Sequence, residues 1–286
     1  MKVHRFPDAR SFLARAGEWL RASEARHNSI LGDAYLLLAD EHPFHDPIYL
    51  STVESNGQVV ACAVRPPPDG LTLTSAPSGA VELLVSDVAT AFDVLPLVNG
   101  PEREAIEFAR SWSAARGCDF SISFLWRWYV LDRSPVPARQ PPGRLRLAGA
   151  DDRERVGEWA DAYARAVRTF VDVRAFFERR IRTRSLYLWD DGGPRSLVAV
   201  SGLTPSSARI SAVYTPPESR GKGYARAAVA AVSGKVLDDG RICVLFADRT
   251  DPGPNAIYSQ IGYRPMQDTI GITFVPRGRA ALRPLP

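Results

Sequence analysis

The sequence predicts an α/β (α+β) protein built from two tandem halves. Three observations predict it: two β-hairpin patterns, a helical pattern before each of them, and a proline-rich segment that separates the two sets. Helices that alternate with strands indicate this class, and hairpins make part of each sheet antiparallel. With 286 residues the chain is long enough for two domains of ordinary size.

The first half contains a helix, a hairpin, a strand, a helix and a strand, in that order. The predicted segments are 9–26, 48–53, 58–64, 81–89, 102–116 and 119–126. Polar and apolar residues alternate in the hairpin strands, and Asn56-Gly57 between them is typical of a tight hairpin turn.

The second half repeats this order of elements. The predicted segments are 153–182, 185–189, 196–203, 209–214, 225–237 and 242–246. Asp191-Gly192-Gly193 supplies the turn of the hairpin, because glycine and aspartate favour turn conformations. The repeated order indicates a diverged internal repeat.

A proline-rich stretch from Ser134 to Gly143 separates the two halves. Proline lacks a backbone N–H and fixes one dihedral angle, so this stretch is predicted to be an extended connector. We therefore expect an N-terminal domain at 1–135, a connector at 136–143 and a C-terminal domain at 144–286.

The composition is typical of a soluble globular protein, with 45% hydrophobic and 24% charged residues. No apolar run approaches the roughly 18 residues that span a bilayer, and the first residues lack the apolar stretch of a secretory signal. We expect a cytoplasmic protein without a membrane partner. The net charge of +4 comes from basic residues scattered among acids, so nucleic acid is not an expected partner, although an RNA- or DNA-associated protein stays an alternative.

Neither cysteine nor histidine indicates a metal site. Cys62, Cys118 and Cys243 are far apart and lie beside apolar residues, which predicts buried free thiols. His42 and His45 flank a proline and have no further His or Cys nearby, so a polar loop is the favoured interpretation. We expect no metal cofactor.

Two glycines lie at a predicted strand-to-helix junction. The strand 209–214 leads through a short turn into Arg220-Gly221-Lys222-Gly223-Tyr224-Ala225, after which alanine and valine recur at helical spacing. The first N–H groups of a helix are unpaired and carry partial positive charge, which suits a phosphate. Glycine lets the backbone approach closely, and Arg220 and Lys222 add cationic contacts.

The alternative is a tight left-handed turn with no ligand. Two phosphate-binding motifs do not fit. A dinucleotide fingerprint needs a third glycine, and a P-loop ends in Gly-Lys-Ser/Thr.

At this point the sequence resembles the GNAT (Gcn5-related N-acetyltransferase) superfamily. Arg220, Gly223 and Ala225 match its Arg/Gln-x-x-Gly-x-Gly/Ala signature, and 257–263 is similar to its Leu-Tyr-x-x-x-Gly-Phe/Tyr motif. The resemblance covers roughly 145–274 and implies a mixed, mostly antiparallel sheet flanked by helices. It makes the N-terminal half a degenerate copy, similar only in its order of elements.

The resemblance also implies the roles of individual residues. Acetyl-CoA would be the cosubstrate, held in a cleft between two splayed strands. The expected cofactor-binding residues are Val213, Tyr214, Thr215, Arg220, Gly221, Lys222, Gly223, Tyr224, Ala225 and Asn255. Tyr258 would donate a proton to the departing thiolate, since a tyrosine with a pKa near ~10 stays protonated at neutral pH.

The sequence indicates the general base less clearly than it indicates the proton donor. Asp248, after the strand 242–246, is the first candidate, and Asp172 and Glu178 come next. Asp251 stands where the family often has Asn, and Pro254 stands where a small residue is usual. Asp251 and Asn255 could equally cap a helix.

The predicted function is acetyl transfer from acetyl-CoA to a primary amine by direct attack in a ternary complex. The acceptor would be a small molecule or a peptide, and the protein a monomer or homodimer. A non-catalytic acyl-CoA sensor or scaffold is the alternative.

Overall fold

The computed structural model of the chain describes residues 1–39, 42–45, 47–135, 140–167 and 172–277. Contacts divide the chain into two compact units. Unit 1 contains Met1–Trp128, Ala247–Asp251 and the segment that begins at Met266, and unit 2 contains Tyr129–Phe246 and Pro252–Pro265. The predicted connector at 136–143 includes residues 136–139, which lie outside the described residues, so the predicted domain boundary stays a prediction.

The two halves of the sequence share one order of elements: strand, two helices, three strands, helix, strand, helix, strand. The first half comprises β1 (Lys2–Arg5), α1 (Ala9–Arg21), α2 (Glu24–Leu36), β2 (Tyr49–Ser55), β3 (Gln58–Arg65), β4 (Leu71–Leu73), α3 (Ala80–Ala91), β5 (Leu97–Pro101), α4 (Glu102–Arg116) and β6 (Cys118–Leu131). The second comprises β7 (Arg144–Leu147), α5 (Arg153–Val167), α6 (Val173–Arg182), β8 (Leu186–Asp190), β9 (Pro194–Ser201), β10 (Ser207–Tyr214), α7 (Tyr224–Asp238), β11 (Ile242–Asp248), α8 (Pro252–Ile261) and β12 (Arg264–Pro276).

Two segments of the first half differ from the sequence prediction. The predicted single helix at 9–26 is two helices, and it breaks at Ala22 and Ser23. The predicted strand at 81–89 is wrong, because this segment lies in α3. Its buried residues Val81, Leu84, Val85 and Val88 have the spacing of a helical face.

Both units contain a largely antiparallel sheet with one parallel pair of strands. In unit 1, β1 to β4 pair antiparallel in sequence order, β4 pairs parallel with β5, and β12 pairs antiparallel with β5. In unit 2, β7 to β10 pair antiparallel, and β10 pairs parallel with β11. The predicted mixed, mostly antiparallel sheet is thus confirmed.

Helices cover the sheet through apolar clusters. In unit 1, Phe108 and Trp112 of α4 are buried in one cluster, and Phe12 and Leu20 of α1 are buried in another. In unit 2, α5 and α6 pack on β8 and β9 through Phe177 and its neighbours. Each helix carries its apolar residues along one stripe, which is why it lies flat against the sheet.

Among the described residues there is no cluster of three or more potential metal ligands. Within the same ranges, none of the helices is both long and apolar enough to cross a membrane. Cys62 and Cys243 are buried free thiols as predicted, whereas Cys118 is only partly buried.

Candidate functional site

The strand β10 contains a bulge that the sequence did not indicate. Ser211 pairs with Ala199 and Tyr214 pairs with Leu197, so β10 has one residue more than β9 between these pairs. Ala212 adopts a positive φ of 45° there. This conformation costs a residue with a Cβ roughly 1–2 kcal/mol, and such bulges bend a strand and redirect the residues that follow.

The bulge lies where β10 separates from β11. The parallel pairs of β10 and β11 run from Ser207–Ile242 to Arg209–Val244. Within the described residues there is no later parallel pair between these two strands. The residues of β10 from 210 to 214 therefore keep a backbone edge that faces the gap toward β11. An extended ligand can pair with such an edge.

Packing and hydrogen bonds hold the bent end of β10. The ring of Tyr214 lies 5.9 Å from that of Trp159 and 6.4 Å from that of Tyr163, edge-on to the latter. Ser196 Oγ donates a hydrogen bond of 3.0 Å to the carbonyl of Tyr214. Burial in this aromatic group raises the pKa of Tyr163 to about 12.

The glycine loop after β10 leads into α7 through two glycines with positive φ. Gly221 and Gly223 have φ of 73° and 85°, and Gly223 directly precedes α7 without a side-chain cap. Ala227 N–H makes the first intrahelical bond, to the carbonyl of Gly223. Within the described chain no hydrogen bond is recorded for the N–H groups of residues 221–226, so these donors are available to a ligand.

The two cations of the loop are exposed and fold back onto it. Arg220 Nε donates to the carbonyl of Thr215 at 3.0 Å, and Lys222 Nζ donates to the carbonyl of Glu218 at 3.0 Å. Both contacts are single hydrogen bonds to neutral acceptors. A phosphate would offer each cation a stronger, charge-assisted partner.

Tyr224 anchors the start of α7 instead of reaching toward a ligand. Its side chain is buried, and its hydroxyl donates to Asp191 Oδ2 at 2.6 Å. This hydrogen bond raises the pKa of Tyr224. Asp191 lies in the hairpin turn between β8 and β9, so the turn fixes the helix start. Tyr224 can contribute to an anion site through its backbone N–H.

The tyrosine of the second motif lies on α8. Tyr258 is buried, and its ring lies 6.1 Å from that of Tyr129 and 6.0 Å from that of Tyr263. The helix ends at Ile261, and Gly262 follows it with a φ of 109°, which is in the range that favours glycine. Arg226 of α7 donates to Gln260 of α8 at 3.1 Å, which joins the helices of the two sequence motifs.

Asn255 lies inside α8 and does not cap it. Its Oδ1 accepts a hydrogen bond of 2.6 Å from the hydroxyl of Tyr129. Asp251 directly precedes α8. The contact of Asn255 involves a residue 126 positions away, which no local pattern indicates.

The three candidate bases are held by structural contacts. Asp248 ends β11, and its Oδ1 accepts hydrogen bonds from the N–H and the hydroxyl of Thr250 at 2.8 and 2.6 Å. Asp172 caps α6 through the N–H of Ala175, and Glu178 forms an ion pair of 3.2 Å with Arg153. Unit 2 contains every predicted site residue except Asp248, which belongs to unit 1.

The bulged strand, its parallel neighbour and the glycine loop before a helix belong to a fold that this chain shares with solved GNAT proteins. More narrowly, a family model described as FR47-like protein matches residues 191–270. Comparison with curated proteins gives no match.

Solved structures share the fold at low sequence identity. A Drosophila protein is 13% identical with a TM-score of 0.70, and the match covers 96% of this chain and 99% of that one. A GCN5-related N-acetyltransferase from Kribbella flavida is 14% identical with a TM-score of 0.58, covering 87% and 94%. A tandem GNAT protein from the clavulanic acid biosynthesis pathway is 16% identical with a TM-score of 0.55, covering 98% and 100%.

Proposed function

We propose that the protein is an N-acetyltransferase that moves an acetyl group from acetyl-CoA to a primary amine by direct attack in a ternary complex. One observation carries the proposal: a row of N–H donors without acceptors, at 221–226, follows a bulged strand whose free edge faces a gap in the sheet. A linear molecule with a diphosphate at one end and amide groups along its arm matches both features.

The glycine loop would hold the pyrophosphate of acetyl-CoA. The N–H groups from Gly221 to Ala225 and the positive end of α7 attract its charge. Arg220 and Lys222 would leave the carbonyls of Thr215 and Glu218 to contact the phosphates. Backbone groups of Val213, Tyr214 and Thr215 would pair with the amides of the pantetheine arm, and Asn255 would lie beside it.

In the reaction, the amine nitrogen attacks the thioester carbon, an amide bond forms and the carbon–sulfur bond breaks. Tyr258 would donate its proton to the departing sulfur. The nitrogen must lose a proton, either to Asp248 or to water. Asp172 and Glu178 are weaker candidates, because one caps α6 and the other is paired with Arg153.

The acceptor, location and partners of the enzyme are also proposed here. The acceptor would be a small molecule or a peptide. The protein would be a cytoplasmic monomer or homodimer with no nucleic-acid or membrane partner. No metal is required by this chemistry, since Tyr258 can neutralise the leaving thiolate.

Calorimetry with acetyl-CoA tests the proposal directly. We expect binding by the wild-type chain and a loss of about 10-fold or more in affinity for Arg220→Glu, because the substitution places a negative charge beside the diphosphate. Arg155→Glu is a matched charge reversal on the exposed face of α5 and should change little. Absence of binding by the wild-type chain would exclude the function.

Release of CoA thiol in the presence of a panel of amines separates the enzyme from a sensor. The proposed enzyme releases thiol with at least one amine and yields an equal amount of amide. Binding of acetyl-CoA without release by any amine would favour the non-catalytic acyl-CoA sensor or scaffold.

A further inference from the structure

A small polar cavity of about 40 Å³ lies in unit 1, between the start of α2 and the strands β4, β5, β6 and β12. Its lining includes Arg26, His27, Thr72, Asn99, Trp128 and Thr269. All of the residues that line it belong to unit 1. The cavity is therefore a feature of the unit that does not contain the glycine loop before α7.

Three polar residues of the cavity lie on the face of the sheet that α1 and α2 cover. Val64, which belongs to the apolar cluster of α1 and α2, pairs with Thr72, and Thr72 pairs with Asn99. Pro101, two residues after Asn99, pairs with Thr269. Residues that pair across strands, and alternate residues of one strand, point to the same face. Hence Thr72, Asn99 and Thr269 share the face of Val64.

This face changes from apolar to polar between neighbouring strands. On β2 and β3 it carries Leu50 and Val64, which lie in one apolar cluster with α1 and α2. On β4, β5 and β12 it carries the hydroxyl and amide groups of Thr72, Asn99 and Thr269. Polar groups on a covered face need hydrogen-bond partners. The polar part of the face therefore indicates a site for a polar ligand or for ordered water.

Two buried hydroxyls of this cavity have a hydrogen left to donate. Thr72 and Thr269 are only 9% and 6% exposed. Thr72 Oγ1 accepts a hydrogen bond of 3.1 Å from Asn99 Nδ2, and Thr269 Oγ1 accepts one of 3.0 Å from Trp128 Nε1. Each oxygen thus acts as an acceptor, and among the described residues neither hydroxyl hydrogen has an acceptor of its own. A buried donor without an acceptor is costly, so a ligand with acceptor atoms is favoured here.

The charge around the cavity is positive. Arg26 is an exposed cation in its lining, and no aspartate or glutamate of the described residues lines it. Asp268 precedes Thr269 on β12 and therefore points to the opposite face, where it accepts two hydrogen bonds from Arg127 at 2.8 and 2.9 Å. An anion in the cavity would thus meet one guanidinium and no carboxylate of the lining.

His27 adds a wall that is fixed and uncharged. Its Nδ1 donates to the carbonyl of Leu20 at 2.9 Å, and its ring stacks on that of Trp19 with 4.9 Å between the centroids. Burial lowers the pKa of His27, so the ring is neutral at pH 7. The positive charge of the lining therefore comes from Arg26.

We infer that this cavity binds the carboxylate of a small ligand through the hydroxyls of Thr72 and Thr269 and the guanidinium of Arg26. A carboxylate offers only acceptors, which match these three donor groups, and its charge matches the arginine. The volume of about 40 Å³ equals the space of about three water molecules, which suits a group of the size of acetate. The inference goes beyond the proposed function, because the cavity lies outside the unit that contains the glycine loop.

Titration of the full chain with sodium acetate, followed by NMR of the indole N–H of Trp128, tests the inference. This N–H donates to Thr269 at the cavity, so a ligand that bonds to Thr269 shifts its resonance. Trp128→Phe identifies the resonance, and sodium chloride at equal concentration controls for ionic strength. We expect a saturable shift with a Kd in the millimolar range, because a ligand of this size has limited affinity. Acetamide, which has the same shape without the charge, should bind about 10-fold more weakly or not at all.

Substitutions in the lining assign the donors. Arg26→Gln should raise the Kd for acetate by about 10-fold, and the control Arg10→Gln, an exposed arginine of α1 outside the cavity, should leave it unchanged. Thr269→Val should raise the Kd by about 5-fold or more, whereas Thr269→Ser keeps the hydroxyl and should bind like the wild type. Thr72→Val should have a similar effect while the bond between Trp128 and Thr269 stays in place, so it serves if Thr269→Val does not fold.

Three outcomes would overturn the inference. Absence of a saturable shift with acetate would show that the cavity holds water alone. Equal affinities for acetate and acetamide, or equal effects of Arg26→Gln and Arg10→Gln, would show that the site does not recognise the charge. Phosphate that binds as tightly as acetate would exclude a site built for a carboxylate.

The titration is separate from the calorimetry with acetyl-CoA. Binding of acetate at Trp128 without binding of acetyl-CoA supports the cavity site and removes the proposed function. Binding of acetyl-CoA without a shift at Trp128 supports the proposed function and overturns the inference.

Discussion

The carboxylate of Glu104 accepts a hydrogen bond from the backbone N–H of Ala76, with 3.0 Å between Oε1 and N. Glu104 is only 3% exposed. Ala76 lies in the loop between β4 and α3, which is the counterpart in the first half of the glycine loop before α7. Gly79 directly precedes α3 with a φ of 78°, close to the 85° of Gly223. The loop before α3 thus has a glycine with a φ similar to that of Gly223. However, the carboxylate of Glu104 accepts one of its backbone N–H groups, and the loop itself contains no lysine or arginine.

We therefore expect one molecule of acetyl-CoA to bind per chain. A second diphosphate at α3 would meet the carboxylate of Glu104, and the neighbouring cation, Arg103, is already paired with that carboxylate at 2.6 Å. The cavity of about 40 Å³ beside β4 and β5, lined in part by Thr72 and Asn99, has room for only a few water molecules. Titration calorimetry checks the stoichiometry. A value near two would contradict the asymmetry between the halves.

Gly223→Ala should weaken the binding of acetyl-CoA and lower stability by about 1 kcal/mol. No atom lies within 4 Å of a Cβ added at this position, so the cost comes from the positive φ and not from a clash. Gly234→Ala is the matched control in the same helix, because a Cβ there also meets open space and no positive φ is required. It should raise stability by up to about 1 kcal/mol and leave binding unchanged. Chemical denaturation and calorimetry measure both quantities, and similar effects of the two substitutions would argue against the role of the loop.

Tyr258→Phe should reduce kcat by about 10²-fold or more and change the affinity for acetyl-CoA little, because the substitution removes only the proposed proton donor. Tyr263→Phe removes a hydroxyl from the same neighbourhood, where it lies 2.7 Å from Ser233 Oγ. This control should cost about 1 kcal/mol of stability and leave kcat nearly unchanged. Steady-state kinetics with the best amine acceptor measures kcat for both variants and for the wild type. Equal kcat values for Tyr258→Phe and the wild type would remove Tyr258 from the mechanism.

Acid should destabilise the protein partly through Asp152. Arg146 makes two hydrogen bonds to its carboxylate, at 2.7 and 2.8 Å, and lowers its pKa. A lowered folded-state pKa means that the contribution of Asp152 is fully present above its ordinary value near ~4 and is lost as the pH falls through the folded-state value. We expect Asp152→Asn to cost about 1–3 kcal/mol at pH 7 and to lose less stability than the wild type between pH 5 and pH 2. Urea denaturation across this range measures the difference. Parallel pH curves for the two proteins would contradict this role.

The sequence by itself predicted those parts of the molecule that depend on neighbouring residues. The hairpin turn at Asn56-Gly57, the glycine loop and the end of α8 before Gly262 each follow from the backbone preferences of a few adjacent residues. The family resemblance rested on the same short segments. It was sufficient for the fold class and for the position of the glycine loop before α7.

Only the tertiary structure decided the features that long-range packing imposes. Ala212 has no local reason to adopt a positive φ, and packing of Tyr214 against α5 accompanies the bulge there. Leu71–Leu73 is too short for a strand pattern and forms one because β3 and β5 pair with it. The hydrogen bond between Tyr129 and Asn255 joins residues that lie 126 positions apart in the sequence. Contacts between distant residues depend on how the elements pack, which the pattern of any single segment does not contain.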